Sequence, residues 1–387
     1  MKNIKLMNKI ARVGTDVFDR NDYAVGDNIE NADAIMVRSA ALHEMVFNPE
    51  LKAIARCGAG VNNIPIDRCS ESGIVVFNTP GANANGVKEL AIAALMLASR
   101  DIVGGIEWAK SLAGTEAVAK AVEAGKSKFA GHEIYGKKLG VIGLGAIGGK
   151  VANAAVALGM EVIGCDPFLS VEAAWSLSRA VKKAASYEEI FATADYITLH
   201  VPSTPETKNM ICAKSIETMK DGVRIINLAR ADLVNSDDLK AALASGKIAS
   251  YVTDFPTEET VGVPGIVAIP HLGASTEESE DNCAVMAAHQ LDEFLKTGNI
   301  KNSVNYPNIS MPHTGSVRVC VFHANVPAIL SQITNGFAED KINIENMLNR
   351  SKGNNAYTIV ETNTDVSDNV IEKLTAIEGV VRVTVIK

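Results

Sequence analysis

Residues 139–166 read LGVIGLGAIGGKVANAAVALGMEVIGCD, and this stretch decides the fold. An apolar run from Leu139 to Ile142 has strand character and breaks at Gly143. Gly143, Gly145 and Gly148 then give the G-x-G-x-x-G spacing, with Ala146 and Ile147 between the last two. Val151, Ala155 and Leu158 fall on one face of a following helix, and a second apolar strand over 161–165 ends in Asp166-Pro167. The first glycine permits a tight turn, the second lets backbone approach a pyrophosphate, and the third allows close helix–strand packing, with the phosphates on the helix N-terminus. A carboxylate at the tip of the second strand accepts from the adenosine ribose hydroxyls and repels a 2′-phosphate. The ligand implied is therefore NAD rather than NADP.

A chain of 387 residues has room for two or three domains. Its net charge of −8 argues against a nucleic-acid partner, which needs a basic surface. Six cysteines (Cys57, Cys69, Cys165, Cys212, Cys283, Cys320) lack C-x-x-C pairing, so neither a metal site nor a disulfide scaffold is expected. The N-terminal MKNIKLMNKIARVG carries no sustained apolar segment, and the longest apolar run, residues 90–98, is too short to span a bilayer. A soluble cytoplasmic protein without membrane contact is expected.

Outward from the glycine stretch, short strands alternate with helices, the pattern of a parallel α/β layer structure. Before it, strands are expected at 34–37, 53–56 and 73–77, a buried helix at 88–99, and a helical arm over 100–135. After it, strands end at His200 in HVPSTPET, at Leu228-Ala229-Arg230, at Asp254 and at Pro270-His271. Ligands of doubly wound sheets sit at the carboxyl ends of strands, so His200, Arg230, Asp254 and His271 should converge. A long helix is expected over 276–297, a linker over 301–315, and a βαββαβ, ferredoxin-like tail over 316–387.

Hydride transfer from a 2-hydroxy acid to NAD needs a cation for the carboxylate, a base near neutrality and an acid to orient that base. Arg230 supplies a fork for the carboxylate and adjacent oxygen. His271 suits the base, with an ordinary pKa of about 6.5. Glu259 or Glu258 suits the orienting acid. On residue type alone these groups equally fit a surface arginine, a satisfied strand-end histidine and solvated glutamates.

The local sequences ARCGAGVNNIPID, NLARADLVNSDDLKAALASGKIA, TDFPTEE and PHLGAST resemble, in order and spacing, the signatures of the D-isomer-specific 2-hydroxyacid dehydrogenases over roughly the first 300 residues. The resemblance implies an NAD-binding Rossmann domain (99–271) inserted in a flavodoxin-like α/β substrate domain (1–98 and 272–302). It makes Arg230, Glu259 and His271 the catalytic group, with Glu258 the alternative to Glu259. It implies cofactor contacts from Gly143, Gly145, Ala146, Ile147, Gly148, Asp166, Pro167, His200, Val201, Pro202, Thr207, Leu228, Ala229, Arg230, Asp254, His271 and Gly273. For the substrate it implies the amides of Cys57, Gly58, Ala59 and Gly60, with Arg38 and Lys88 as added cations. The linker NIKNSVNYP and the βαββαβ tail, which resembles ACT domains in HANVPAIL, favour D-3-phosphoglycerate as substrate. Another D-2-hydroxyacid dehydrogenase, acting on glycerate/hydroxypyruvate or lactate, or a non-catalytic NAD-sensing scaffold are the alternatives. His323, Asn325 and Asn343 match positions that contact an L-serine effector in regulated relatives. A homo-oligomer, dimer or tetramer, is implied, with Ile102, Ile106 and Trp108 on a plausible dimer face. The chain departs from the family pattern at Ala231, Asn62 and Pro256, where Gly, Asp and an aromatic are common, and its loop from Glu259 to His271 is short. In the tail, Ala328 replaces the usual Gly after Pro327.

Overall fold

The computed structural model describes residues 1–314 and 317–386; the tail start expected at Ser316 lies outside them. The chain forms two compact units. One is Met1–Ala82 with the described residues from Glu280 onward, and the other is Asn83–Ser279.

The first unit is built on β1 (Lys2–Met7), β2 (Tyr23–Gly26), β3 (Ala34–Val37), β4 (Ala53–Arg56) and β5 (Val75–Phe77). They form a parallel sheet in the order β2-β1-β3-β4-β5, the flavodoxin-like winding. The central strands AIMV and AIAR are almost wholly buried, as strands covered on both faces must be. Neither β1 nor β2 is evident from sequence, because KNIKLM interrupts its apolar residues with lysines and YAVG is four residues long. The helix Glu277–Thr297 passes from the second unit into the first. There Ala284, Ala287, Leu291 and Phe294 complete a core with Ile4, Met36, Ala55 and Phe77.

The same unit carries the antiparallel sheet of β13 (Val317–Ala324), β14 (Ile344–Lys352), β15 (Asn355–Thr362) and β16 (Val380–Ile386), in the order β14-β15-β13-β16. With its helices Ile329–Glu339 and Asp368–Thr375 this is the expected βαββαβ arrangement. The period-2 alternation of β13 splits its side chains. Val319 and Val321 meet Ile333, Phe337 and Leu374 under the helices, whereas Cys320 and Phe322 join Phe294 and Tyr306 in the core of the α/β layer. The Phe322 ring lies 4.5 Å from Tyr357 and 5.0 Å from Tyr306. Arg318 and Glu361, both fully buried, form an ion pair at 2.6 Å. The remaining Arg318 donors reach the carbonyls of Thr297, Met311 and Pro312. Arg382 donates to the carbonyls of Pro49 and Leu51. The tail is thus bonded to the α/β layer at several separate points.

The second unit has seven strands: β6 (Lys138–Ile142), β7 (Glu161–Cys165), β8 (Lys182–Lys183), β9 (Tyr196–Leu199), β10 (Val223–Asn227), β11 (Ile248–Thr253) and β12 (Ile266–Ala268). All pair in parallel, in the order β12-β11-β10-β9-β6-β7-β8, a Rossmann winding that reverses direction at β6. The buried helix runs Ala84–Ser99 and starts before the expected Lys88; its Ala91, Ala94 and Leu95 pack on Leu139 and Val141. The arm is two helices, Ile102–Ser111 and Val118–Gly125, closed by a tight turn in which Phe129 stacks on Trp108 at 5.3 Å. Among the described residues no helix is long and apolar enough to cross a membrane, and no group of side chains is placed to hold a metal ion.

Candidate active site

The glycine turn lies at the switch point of the second sheet, and each glycine has its own reason. Gly143 has φ +88°, and a Cβ there would lie 2.6 Å from the His200 carbonyl oxygen. A Cβ on Gly148, the first residue of the helix Gly148–Ala157, would lie 1.9 Å from the Gly143 carbonyl oxygen. Gly145 faces open space, with nothing within 4 Å of the same position. Turn, close packing and free approach are thus divided as the spacing requires.

Asp166 sits at the end of β7, but its carboxylate turns back on the turn. One oxygen accepts from the Leu144 amide at 2.9 Å and the other from the Phe168 amide at 2.9 Å. These bonds hold the turn against the strand and leave further lone pairs for ribose hydroxyls. Asp166, Pro167, Leu169, Leu177 and Val181 line a pocket of about 340 Å³, roomy enough for an adenosine. His200 follows β9 and shares a 2.9 Å hydrogen bond with Thr198. Burial pushes its pKa down to about 4, so the ring is neutral at physiological pH. The loop after it, with Val201 and Pro202, is fixed where Thr207 donates to the Pro202 carbonyl at 2.6 Å.

Three adjacent strand ends, those of β10, β11 and β12, then carry Arg230, Asp254 and His271. Leu228 is buried past the end of β10, and the next turn is shaped by Asn227. The Asn227 amide donates to the Arg230 carbonyl at 2.8 Å and to Tyr251 at 3.0 Å, while its oxygen accepts from the Ala229 amide at 3.2 Å. Arg230 itself donates to the Ala229 carbonyl at 2.6 Å. Phe255, next to Asp254 at the end of β11, joins the set: its ring centroid is 5.7 Å from the Arg230 guanidinium carbon and 4.5 Å from the His271 ring. The aromatic missing at position 256 is therefore supplied one residue earlier.

Asp254 is 1% exposed, and its Oδ1 has no hydrogen-bond partner among the described residues. Burial raises its pKa, opposed by His271, by the Gly273 amide and by Arg230. An orphaned buried acceptor at the carboxyl end of β11, in the same sheet as the glycine turn, fits the carboxamide end of a dinucleotide, as the open space at Gly145 fits its pyrophosphate. Neither Glu259 nor Glu258 hydrogen-bonds His271; both are exposed, and Glu259 interacts instead with Lys240. Asp254 lies within Coulombic reach of His271. Lys88, partly buried on its helix, lies 3.5 Å from Glu89.

In the first unit, Arg38 follows β3 but is paired with Glu280 at 2.6 Å. Of the four amides expected to face a carboxylate, Cys57 donates to the Val37 carbonyl at 2.8 Å and Gly58 to the Arg56 carbonyl at 2.9 Å. Only the Ala59 and Gly60 amides lack an acceptor among the described residues. Arg56, which sequence reading passed over as the last residue of a strand, stands in register with Val37 and beside Arg38. Its Nε is buried without a partner, and burial lowers its pKa. The register of β3 and β4 thus sets two guanidinium groups on neighbouring strand ends, a juxtaposition that neither stretch of sequence displays alone. In the tail, both His323 ring nitrogens are used internally, by the Ala324 carbonyl and by Thr358, each at 2.8 Å. Asn325 donates to the Gly353 carbonyl at 3.1 Å, and Asn343 is exposed.

Comparison with known proteins places this geometry. Residues 94–273 match the NAD-binding domain of the D-isomer-specific 2-hydroxyacid dehydrogenases. The chain is 32% identical to the D-3-phosphoglycerate dehydrogenase of Escherichia coli over 380 residues, 94% of this chain and 88% of that one. The chain belongs to the D-isomer-specific 2-hydroxyacid dehydrogenase family. The D-3-phosphoglycerate dehydrogenase of Methanocaldococcus jannaschii is 35% identical over 320 residues, 80% of this chain, which spans 59% of that longer protein. Among solved structures, NAD+-bound 3-phosphoglycerate dehydrogenase of Entamoeba histolytica matches with a TM-score of 0.61 and 27% identity, over 79% of this chain and 98% of that one. The glycine turn, Asp166 and the adjoining pocket accordingly belong to the family's NAD-binding domain.

Proposed function

We propose that the chain oxidises D-3-phosphoglycerate to 3-phosphohydroxypyruvate with NAD, the first step of L-serine synthesis, in the cytoplasm. The observation that carries this reading is the packed group of Arg230, Phe255, His271 and Asp254 on neighbouring strand ends. Bound NAD supplies the acceptor for the C2 hydride. Arg230 holds the substrate carboxylate and C2 oxygen, its guanidinium plane steadied by Phe255. His271 takes the C2 hydroxyl proton on an imidazole nitrogen, and Asp254 favours the imidazolium that results. Phe255 excludes water from both. Glu259, or Glu258 in its place, assists His271 only after movement of the loop they share. Arg38 and Arg56 suit the phosphate, with Arg38 exchanging Glu280 for the substrate.

The test is NADH formation from 3-phosphoglycerate at alkaline pH, run beside glycerate and lactate, with NADH consumption on hydroxypyruvate measured in the reverse direction. No NADH from any acid would overturn the dehydrogenase reading, and equal rates on glycerate would overturn the phosphorylated substrate. The exposed Ile102 and Ile106 of the arm support a homo-oligomer, which light scattering would refute by finding a monomer at micromolar concentration. L-serine is the effector proposed for the tail, at the turn carrying Asn325 and Asn343. His323 frames that turn through its two internal bonds, and an unchanged rate with added L-serine would remove this role.

A further inference from the structure

A cavity of about 170 Å³ lies within the first unit, where the tail sheet meets the α/β layer. Its body is apolar, formed by Phe294, Phe322, Tyr357 and Ile386. The Tyr357 hydroxyl donates to the carbonyl of Gly298, another lining residue, at 2.7 Å, so its proton is already satisfied. An apolar cavity of about 150 Å³ holds a benzene ring. This one therefore accepts a body of ring or branched-chain size.

Lys2 and Lys52, both partly exposed, stand in the same wall. Lys2 donates to the Leu295 carbonyl at 2.6 Å and Lys52 to Asp33 at 2.9 Å, so each ammonium keeps further donors. Burial, and then repulsion from Lys52, hold the Lys2 pKa below the ordinary lysine range. The charged groups acting on Lys2 are Lys52, Lys296, Asp33 and Asp292.

We propose that this cavity binds a small amphipathic monocarboxylate, with its apolar body against Phe322 and Tyr357 and its carboxylate at Lys2 and Lys52. The site is separate from the groups assigned to catalysis and does not depend on that assignment. Isothermal titration of the full chain with phenylacetate tests it, beside the neutral 2-phenylacetamide and acetate, which lacks the apolar body. Phenylacetate binds, and both controls bind at least about tenfold more weakly. Lys2→Met and Lys52→Met each weaken phenylacetate without changing the amide. Thr384→Phe, which fills the cavity from β16, abolishes binding while the thermal midpoint shows that the chain remains folded. Three results would each overturn the proposal: no heat with millimolar phenylacetate, equal affinity for the amide, or undiminished binding to a folded Thr384→Phe variant. Should Thr384→Phe not fold, the lysine variants and the amide comparison decide alone.

Discussion

Replacing Arg318 by Met keeps an unbranched stem in the tail sheet but removes the guanidinium from a fully buried position. Glu361, equally buried, then loses two charge-assisted bonds, at 3.1 and 2.6 Å, and the carbonyls of Thr297, Met311 and Pro312 lose a donor. Stranding one member of a buried ion pair costs about 3–5 kcal/mol. Urea unfolding at neutral pH, followed by near-ultraviolet circular dichroism, should show that loss as an early transition of the tail. The double variant Arg318→Met/Glu361→Leu should recover at least half of it, because no charge is left unpaired. Acid gives a second arm. Burial pushes the Glu361 carboxyl up, but Arg318 and Thr314 outweigh it and hold the group below the usual glutamate range. A carboxylate lowered by folding contributes its stability above the unfolded value, about 4.3, and loses it as pH falls through the lower folded value. Tail release on acidification should therefore follow Glu361 and flatten in Glu361→Gln. A single-variant loss under about 1 kcal/mol, or a double variant no better than the single, would refute this account of the pair.

Three further outcomes are open to direct measurement. His271→Ala should lower kcat by about 10²–10⁴-fold with NADH binding retained, and unchanged turnover would remove it as the base. Gly143→Ala should abolish NADH fluorescence enhancement, because the new Cβ meets the His200 carbonyl at a φ of +88°. Ala328 precedes its helix at φ +65°, a left-handed conformation that strains a residue with a Cβ. Ala328→Gly should raise urea stability by about 0.5–1 kcal/mol after the extra freedom of glycine in the unfolded chain is offset.

The parts of the site that could be read in the sequence are those whose geometry is local. Gly143, Gly145, Gly148 and Asp166 belong to one strand–turn–helix–strand unit, so spacing alone placed them. Arg230, Asp254 and His271 were placed by the rule that ligands gather at strand ends. What stayed hidden depends on register and on distant partners. Nothing in IARCG announces that Arg56 stands level with Val37, or that Glu280 reaches Arg38 from another element. Nor does HANVP announce that Thr358, on a different strand, bonds the second ring nitrogen of His323. The separation of Glu259 from His271 in this structure has the same origin, since loop length sets reach and motif counting does not measure it. In VRVCVF nothing marks Arg318 as a core residue, because its partners Glu361, Thr297, Met311 and Pro312 all lie outside that stretch.

The helix Glu277–Thr297 carries a consequence for the order of events on the ribosome. All five strands of the first sheet emerge within the first 77 residues, yet much of their core, Ala284, Ala287, Leu291 and Phe294, comes from that late helix. The Rossmann unit, one uninterrupted segment, leaves the ribosome complete before then. The unit that begins the chain must therefore wait, with apolar strand faces unsatisfied, while its successor folds. Its period of exposure is set by translation through roughly two hundred intervening residues, which makes nascent-chain chaperones, rather than folded-state stability, the natural determinant of its yield.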